Sequence, residues 1–361
     1  NNCDFYKQWT NTWQATPNAQ TTWDASLTAP NVVGTSLGVA STTLCSITLT
    51  GGGGAASCAA YADHNTATVI GGSTIAGAPA NSQWLRSGSG SFTETSGGNT
   101  RNANYYKQWT NTWQVTPNAQ TTWDTGLTAP NVVGTSLGVA STTICSITLT
   151  GGGGAATCSG YADHNTATVI GSSTIGGAPA NSQWLRSGSG SFTETSGGNT
   201  RNANYYKQWS TTIRVTQGGT ASAFDGTTNF AITITSSGTS GTAATLTPSN
   251  GATTPIDSAA TYVDHGAGIV FPAESSSNPA NKRYRNVGDA AFTSATVTSG
   301  ATTVSREYFA QWSTTIRVTQ GGTASAFDGT VNFAITITSL GTAGTAATLT
   351  PANLATTPID S

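Results

Sequence analysis

The chain has 361 residues, and its 13 Lys and Arg against 15 Asp and Glu give a formal net charge of −2. Charged residues are only 8% of the total, which excludes a basic nucleic-acid-binding surface and an acidic tail. No apolar run approaches the roughly 18 residues of a membrane helix, so we expect no membrane insertion within this segment.

Short runs that alternate apolar with small polar residues recur along the chain. The first is CSITLT (Cys45–Thr50), and later ones are TTIRVT (Thr211–Thr216) and NFAITIT (Asn229–Thr235). This period of two, rich in Thr, Val and Ile, predicts β-strands. Turns rich in Gly, Pro and Asn separate the runs. The fold class predicted is therefore all-β, with tandem immunoglobulin-like β-sandwich domains arranged as beads on a string. A solenoid is the alternative.

The sequence repeats with a period near 100 residues. Tyr6–Tyr105 and Tyr106–Tyr205 differ at only nine of 100 positions. The sequence changes after Trp209, but three landmarks return at nearly constant spacing: a Tyr-x-Gln-Trp segment, a Tyr-x-Asp-His and a Pro-Ala-Asn. We predict two repeats of a first type (1–105 and 106–205), one repeat of a second type (206–308), and an incomplete first half of a second-type repeat (309–361). Boundaries near Tyr61, Tyr161 and Tyr262 are the alternative.

The fourth repeat ends in TTPIDS (Thr356–Ser361), which matches TTPIDS at Thr253–Ser258. Four first halves thus accompany three second halves, which favours a native chain that continues beyond Ser361. The absence of Met and the start at Asn1 favour a mature secreted product, with trimming of a longer chain as the alternative.

An aromatic-rich segment opens every repeat, and we predict that it joins consecutive sandwiches and starts the first strand of the next. The predicted joint residues are Tyr6, Trp9, Tyr106, Trp109, Tyr206, Trp209, Phe309 and Trp312. The segment Tyr205–Trp209, preceded by Ala180–Asn204, resembles tandem Ig-like repeats with a Tyr-Tyr-x-Gln-aromatic signature in archaeal and bacterial surface proteins. That resemblance implies a surface, S-layer or filament protein without catalytic residues. Lys107 stands where such repeats often have His, and Ala310 stands there in the last copy.

Cysteine spacing predicts two disulfides, each stapling a hairpin made of a strand, a glycine turn and a strand. The pairs are Cys45 with Cys58 and Cys145 with Cys158. Such loops stabilise by about 3 kcal/mol in the chain-entropy model and indicate an oxidising compartment. Cys3 has no partner in the repeat pattern, so an intermolecular bond is one interpretation.

Other residue patterns are weaker indications of chemistry. His64, His164 and His265 each follow an Asp, and a turn held by an Asx hydrogen bond is preferred over a catalytic triad. The Trp residues suggest either core packing or a carbohydrate platform. Lys107 with Asn181 and Glu194 has the residue types of an isopeptide site, but the second-type repeat lacks the Glu. The chain has no Asn-x-Ser/Thr sequon, while O-glycans on Ser and Thr remain open.

These features predict a secreted structural segment of an extracellular filament or surface layer, without cofactors and with other copies of itself as partner. The alternatives are the stalk of a cell-surface adhesin and a carbohydrate-binding accessory region of a secreted enzyme. We expect no enzymatic activity in this chain, because so few charged groups cannot build a site with perturbed pKa values.

Overall fold

The computed structural model describes residues 3–218, 224, 228–248, 255–319, 332–340, 342–349 and 359–360. Those residues form strands, turns and loops, with no helix among them, and hence no helix that could cross a membrane. The chain divides into two compact units. The first comprises Asn1–Pro117, Thr121–Ala178 and Arg186–Tyr205, and the second comprises Asn118–Gln120, Pro179–Leu185 and Tyr206–Ser361.

The strands up to residue 193 are β1 (Gln8–Asn18), β2 (Asn31–Ser36), β3 (Val39–Ser46), β4 (Ala56–Asp63), β5 (Ala67–Ile70), β6 (Thr74–Ile75), β7 (Ser82–Arg86), β8 (Ser91–Thr93), β9 (Thr100–Asn118), β10 (Asn131–Ser136), β11 (Val139–Ser146), β12 (Ala156–Asp163), β13 (Ala167–Ile170), β14 (Thr174–Ile175), β15 (Ser182–Arg186) and β16 (Ser191–Thr193). The later strands are β17 (Thr200–Gly218), β18 (Phe230–Ser236), β19 (Thr239–Leu246), β20 (Ile256–Asp257), β21 (Thr261–Asp264), β22 (Val270–Phe271), β23 (Lys282–Asn286), β24 (Phe292–Thr293), β25 (Thr302–Trp312), β26 (Arg317–Val318), β27 (Phe333–Ser339), β28 (Thr342–Leu349) and β29 (Ile359–Asp360).

The first repeat is a sandwich of two sheets. One sheet has the order β6-β7-β9-β1-β4, and the other has the order β3-β2-β5-β8. Its core holds Trp13, Trp23, Trp84 and Tyr105, all 2% exposed or less. Trp13, Trp84 and Tyr105 lie inside because alternation along β1, β7 and β9 directs every second residue to one face, and Trp23 packs on Trp84 and Tyr105 from the connection between β1 and β2.

The second repeat begins on the same strand on which the first one ends. The first half of β9 pairs with β1 and β7, and its second half pairs with β12. The facing sheet has the order β11-β10-β13-β16. At about 3.3 Å per residue, the 19 residues of β9 span about 60 Å, enough to serve two sandwiches without a linker.

The third repeat lies in the second unit and repeats this plan. Strand β17 pairs antiparallel with β20 and β21 and parallel with β25, while β19-β18-β22-β24 form the facing sheet. Its core holds Ile213, Phe224, Phe230 and Tyr284, all fully buried, in place of the Trp-rich core of the first repeat. Beyond Trp312, β26 pairs with β29 and β27 pairs with β28. Asp225, the predicted counterpart of Asp124, lies outside the described residues, as do residues 253–254, 356–358 and 361 of the two TTPIDS stretches.

A buried polar network distinguishes the first-type repeats from the second-type repeat. In the first repeat the buried Glu94 carboxylate accepts hydrogen bonds from Asn11 Nδ2 (2.5 Å) and Thr68 Oγ1 (2.5 Å), and Arg101 Nη2 lies 3.3 Å away. Trp13 Nε1 donates to Thr68 Oγ1 at 3.0 Å. In the third repeat Thr211, Ile213, Ile269, Val297 and Val304 occupy the five equivalent positions. An ion-paired core has thus been exchanged as a set for an almost wholly apolar one.

The predicted fold class is confirmed: the chain is all-β, and its repeats are tandem immunoglobulin-like sandwiches. The division into residues 1–105, 106–205, 206–308 and 309–361 stays a prediction. Each of its three internal boundaries lies inside a continuous strand, namely β9, β17 and β25.

Both predicted disulfides form, but they do not staple hairpins. Cys45 and Cys58 are bonded with a Cα–Cα distance of 6.1 Å, and Cys145 and Cys158 with one of 6.0 Å. Strand β3 pairs with β2, whereas β4 pairs with β1 in the opposite sheet. The expectation of a hairpin is wrong, because the glycine turn carries the chain from one sheet to the other. Each disulfide therefore connects the edges of two sheets.

Candidate functional site: the joint between repeats

The joint segments are Phe5–Trp9, Tyr105–Trp109, Tyr205–Trp209 and Tyr308–Trp312. We describe the second in detail, because both repeats that it connects lie in the first unit. Side chains of this segment alternate between the sandwich that ends there and the sandwich that begins there. Such alternation is possible because successive residues on a strand point to opposite faces.

Two residues of this joint point back into the first repeat. Tyr105 is fully buried, packs edge-on against Trp23 and donates its hydroxyl to the carbonyl of Gly72 at 3.1 Å. Burial raises the pKa of this hydroxyl, against the opposing effect of the nearby Arg86. The Lys107 side chain is also fully buried and forms a salt bridge with Asp24.

The Lys107 ammonium has four partners around it. Besides Asp24, it donates to Ser82 Oγ at 3.0 Å and lies 5.7 Å from the ring centroid of Trp84 and 4.6 Å from that of Trp109. Trp84 belongs to the first repeat and Trp109 to the second. The cation thus attracts one ring from each sandwich, and desolvation strengthens both contacts. We call this arrangement the cation clamp.

Two other residues of the joint point into the second repeat. The Tyr106 hydroxyl packs over the turn between β10 and β11, where a Cβ on Gly138 would lie only 2.6 Å from the hydroxyl oxygen. Gly138 has a φ of 76°, so glycine is required there by backbone conformation and by space. Gln108 is buried and donates to Asp163 Oδ1 at 2.9 Å and to Ser136 Oγ at 3.0 Å.

Gln108 also accepts a hydrogen bond from the first repeat, from Gln83 Nε2 at 2.8 Å. One amide therefore bridges the two sandwiches. The Asp163 carboxylate accepts the backbone amides of Leu137 (3.0 Å) and Gly138 (2.8 Å). At the matching Asp63, burial tends to raise the pKa, but hydrogen bonds from Gly38, Gln8 and Leu37 outweigh it and lower the pKa.

The Asp-His pairs are neither a catalytic triad nor a local Asx turn. Trp109 Nε1 donates to His164 Nδ1 at 2.8 Å, while Asp163 holds the distant turn. Burial and the positive charge of Lys107 lower the pKa of His164. The same Trp-to-His hydrogen bond is 2.9 Å for Trp9 and for Trp209.

The Pro-Ala-Asn landmark also belongs to the joint. Asn81 has a φ of 56°, and its carbonyl accepts the backbone amide of Thr110 at 2.9 Å. Asn181 does the same for Ser210 and Asn281 for Ser313. The sequence revealed this landmark by its spacing but not its contact with the next repeat.

The joint in front of Trp312 keeps the cation but takes it from another strand. Ala310 replaces the joint lysine, and Lys282 replaces the serine equivalent to Ser82. The Lys282 ammonium lies 4.8 Å from the Tyr284 centroid and 5.1 Å from the Trp312 centroid. The chain has thus retained an ammonium between two rings while its backbone position moved.

The first joint segment keeps the Tyr-Lys-Gln-Trp residues of the second, but no sandwich precedes it in the described chain. Gln8 donates to Asp63 Oδ1 at 2.9 Å, as its equivalents do. Phe5, however, is 93% exposed, whereas the equivalent Tyr105 is fully buried. Cys3 is an exposed free thiol. Trp312 is 66% exposed at the other end of the described joints.

Other candidate sites from the sequence are not assembled. Lys107 bonds to Asp24 and Ser82, while Glu194 bonds to Asn111, Thr168 and Arg201, so no isopeptide site forms around Lys107 and Glu194. Six Trp residues are 2% exposed or less, which places them in cores rather than on a sugar platform: Trp13, Trp23, Trp84, Trp113, Trp123 and Trp184. Within the described residues, no group of three or more His, Cys, Asp or Glu could hold a metal ion.

No protein-family model matches the chain, and no curated protein sequence matches it. Among solved structures, the chain is similar to the Bacillus anthracis TIE protein (8% identity, 84% of this chain, 51% of that chain, TM-score 0.22). It is also similar to a streptococcal ancillary pilin (10% identity, 83% and 99% covered, TM-score 0.28) and to the pilus adhesin SpaC from Lactobacillus rhamnosus GG (14% identity, 85% and 44% covered, TM-score 0.27). Similarities this weak do not transfer function.

Proposed function

We propose that this chain is a structural segment of an extracellular filament or surface layer, in which the joints hold consecutive sandwiches in a fixed orientation. The observation that carries the proposal is the joint itself. At Tyr105–Trp109, hydrogen bonds, an ion pair and a cation between two rings connect the repeats around one continuous strand. A flexible tether between independent domains needs none of these contacts.

The disulfides support the proposed extracellular location. Disulfides persist in oxidising compartments and are rare in the cytosol of most organisms. The two bonds in the first-type repeats therefore support an extracellular protein. Membership of the tandem Ig-like surface proteins with the Tyr-Tyr-x-Gln-aromatic signature is part of this proposal.

The near-identity of the first two repeats favours assembly into long periodic structures. Repeats that differ at nine of 100 positions present equivalent surfaces along the chain, which a periodic fibre or layer requires. The partner is therefore a second copy of the chain, and the exposed Cys3 thiol is the residue proposed to join the copies covalently.

Electron microscopy and light scattering of the purified chain test the proposal, with Cys3→Ser as the matched variant. We expect fibres or sheets with a regular repeat for the native sequence and fewer or shorter ones for the variant. Fibres that are equally abundant with Cys3→Ser would remove Cys3 from the contact and leave the assembly intact. Isolated rods for both proteins would refute self-assembly and favour an adhesin stalk.

A further inference from the structure

The first and last strands of each sandwich are neighbours in one sheet, and in the first and third repeats they run parallel. In the first repeat, β1 pairs with β9 from Thr12 opposite Thr100 to Asn18 opposite Tyr106. In the third repeat, β17 pairs with β25 from Thr211 opposite Thr302 to Gly218 opposite Phe309. We call these pairings the parallel ladders.

This arrangement decides how a repeat responds to tension along the chain. Tension pulls the amino end of the first strand and the carboxyl end of the last strand in opposite directions. In a parallel pair these two ends lie at opposite ends of the ladder, so the force slides one strand along the other. All hydrogen bonds of the ladder must then break together, whereas an antiparallel pair pulled this way opens one bond at a time.

Side chains reinforce the ladder in the first-type repeats. Thr16 Oγ1 donates to Asn102 Oδ1 at 2.6 Å, and Asn18 Nδ2 donates to Asn104 Oδ1 at 3.3 Å. The equivalent bond in the second repeat joins Thr116 Oγ1 to Asn202 Oδ1 at 2.9 Å. Because β9 is both the last strand of one sandwich and the first of the next, tension passes between them along one strand.

We propose that the parallel ladders are mechanical clamps and that the chain's further function is to resist tension along its length. The inference rests on the proposed structural role, because a filament is where such tension arises. It is nevertheless tested on one chain at a time, so failure to form fibres and failure to resist force are separate results.

The experiment is single-molecule force spectroscopy at constant force. One handle is attached to the exposed Cys3 thiol and the other to a cysteine introduced by Thr314→Cys, so that three sandwiches lie between them. A first-type repeat has about 100 residues, of which the disulfide withholds 13, so its unfolding should lengthen the chain by about 30 nm. Reduction should add about 5 nm, which identifies these events.

Two hydroxyl variants of matched chemistry locate the mechanical barrier. Thr16→Val with Thr116→Val removes the ladder bonds to Asn102 and Asn202. Ser46→Ala with Ser146→Ala removes bonds of the same type, hydroxyl to an Asn side-chain oxygen at 2.6 Å, in the sheets without terminal strands. Removing a bond that is broken at the transition state lowers the unfolding barrier by the bond's full contribution. Removing a bond that is still intact there leaves the barrier unchanged.

We expect the ladder variant to unfold about two- to fivefold faster at the same force, and the Ser46 variant to match the native rate. Gln14→Pro with Gln114→Pro is the stronger perturbation, since Thr12 donates its backbone amide to Asn99 and Gln14 lies two residues further on the same edge. At the same force it should raise the unfolding rate of the first-type repeats and leave that of the third repeat unchanged.

Equal acceleration by both hydroxyl variants would overturn the proposal, as would a native chain whose repeats extend gradually without discrete force-resistant steps. If the proline variant does not fold, the hydroxyl pair still decides between the two outcomes. Mechanical steps in a chain that forms no fibres would retain the clamp and reject only the assembly.

Discussion

At the joint before Trp312, Lys282 supplies the cation that Lys107 supplies at the joint before Trp109. This difference predicts that the lysine of the second joint can be moved to residue 82. Lys107→Ala removes a fully buried ammonium and leaves the Asp24 carboxylate, whose side chain is 14% exposed, without this ion partner. Breaking a buried ion pair on one side costs about 3–5 kcal/mol. Trp84 Nε1 still donates to Asp24 at 2.7 Å, so we expect the lower end of this range.

Ser82→Lys in the same chain should restore most of the loss. Residue 82 lies opposite Trp109 in the register, as Lys282 lies opposite Trp312, so the new ammonium can reach the space between the two rings. Ser82→Lys alone should instead destabilise, because it places a second positive charge beside Lys107. Each single change is therefore harmful, and the double change should lie within about 1 kcal/mol of the native chain.

Calorimetric unfolding of the native chain, the two single variants and the double variant measures this coupling. The reasoning fails if the two single losses simply add in the double variant. It also fails if Lys107→Ala costs less than about 1 kcal/mol, since the cation would then contribute little to the joint.

Three further predictions concern the repeats. Glu194→Val alone should lower the free energy of unfolding by about 3 kcal/mol or more, because Arg201 loses its buried ion partner. The loss should nearly vanish when the five residues of the third-repeat core are introduced together. Urea unfolding measures both changes, and a neutral single change would contradict the network. The set is Asn111→Thr, Trp113→Ile, Thr168→Ile, Glu194→Val and Arg201→Val. Reduction of the Cys45–Cys58 and Cys145–Cys158 disulfides should cost about 3 kcal/mol for each first-type repeat and leave the third repeat unchanged, so a uniform shift in melting would contradict it. The pKa of His164 in the folded chain lies below its usual 6.5. The stability that this residue contributes is therefore complete above pH 6.5 and is lost as pH falls toward the folded pKa. An NMR titration that finds a raised pKa would contradict this.

The fold could be predicted from the sequence because it depends on the order of residues along the chain. Alternating residues predict strands wherever they occur, and a repeat of 100 residues exposes equivalent positions without knowledge of their contacts. The disulfide partners followed from spacing alone. The sheet assignment of those partners did not, because a strand, a glycine turn and a strand have the same pattern in a hairpin and in a crossover between sheets.

The ion partner of Lys107 could not be predicted from the sequence, for a similar reason. Asp24 lies 83 residues earlier in a stretch without regular alternation, and only folding brings the two charges together. Asn181 and Glu194 were plausible by residue type, but Glu194 is occupied by Arg201 in the core. The signal that could have identified the clamp is the paired change to Ala310 and Lys282, whose meaning depends on the register between β23 and β25.

The joint segment varies little for a reason that follows from strand geometry. A residue in an ordinary core contacts only its own sandwich. The first- and second-type cores can therefore differ at several contacting positions together, as Glu94 and its neighbours show. Tyr105 and Lys107 point into one sandwich while Tyr106 and Gln108 point into the next, and Lys107 and Gln108 each also contact the other sandwich. A change at either position has to suit two sandwiches at once. The lysine has moved only where a second strand could supply the same charge at the same place, which is the exception that this constraint allows.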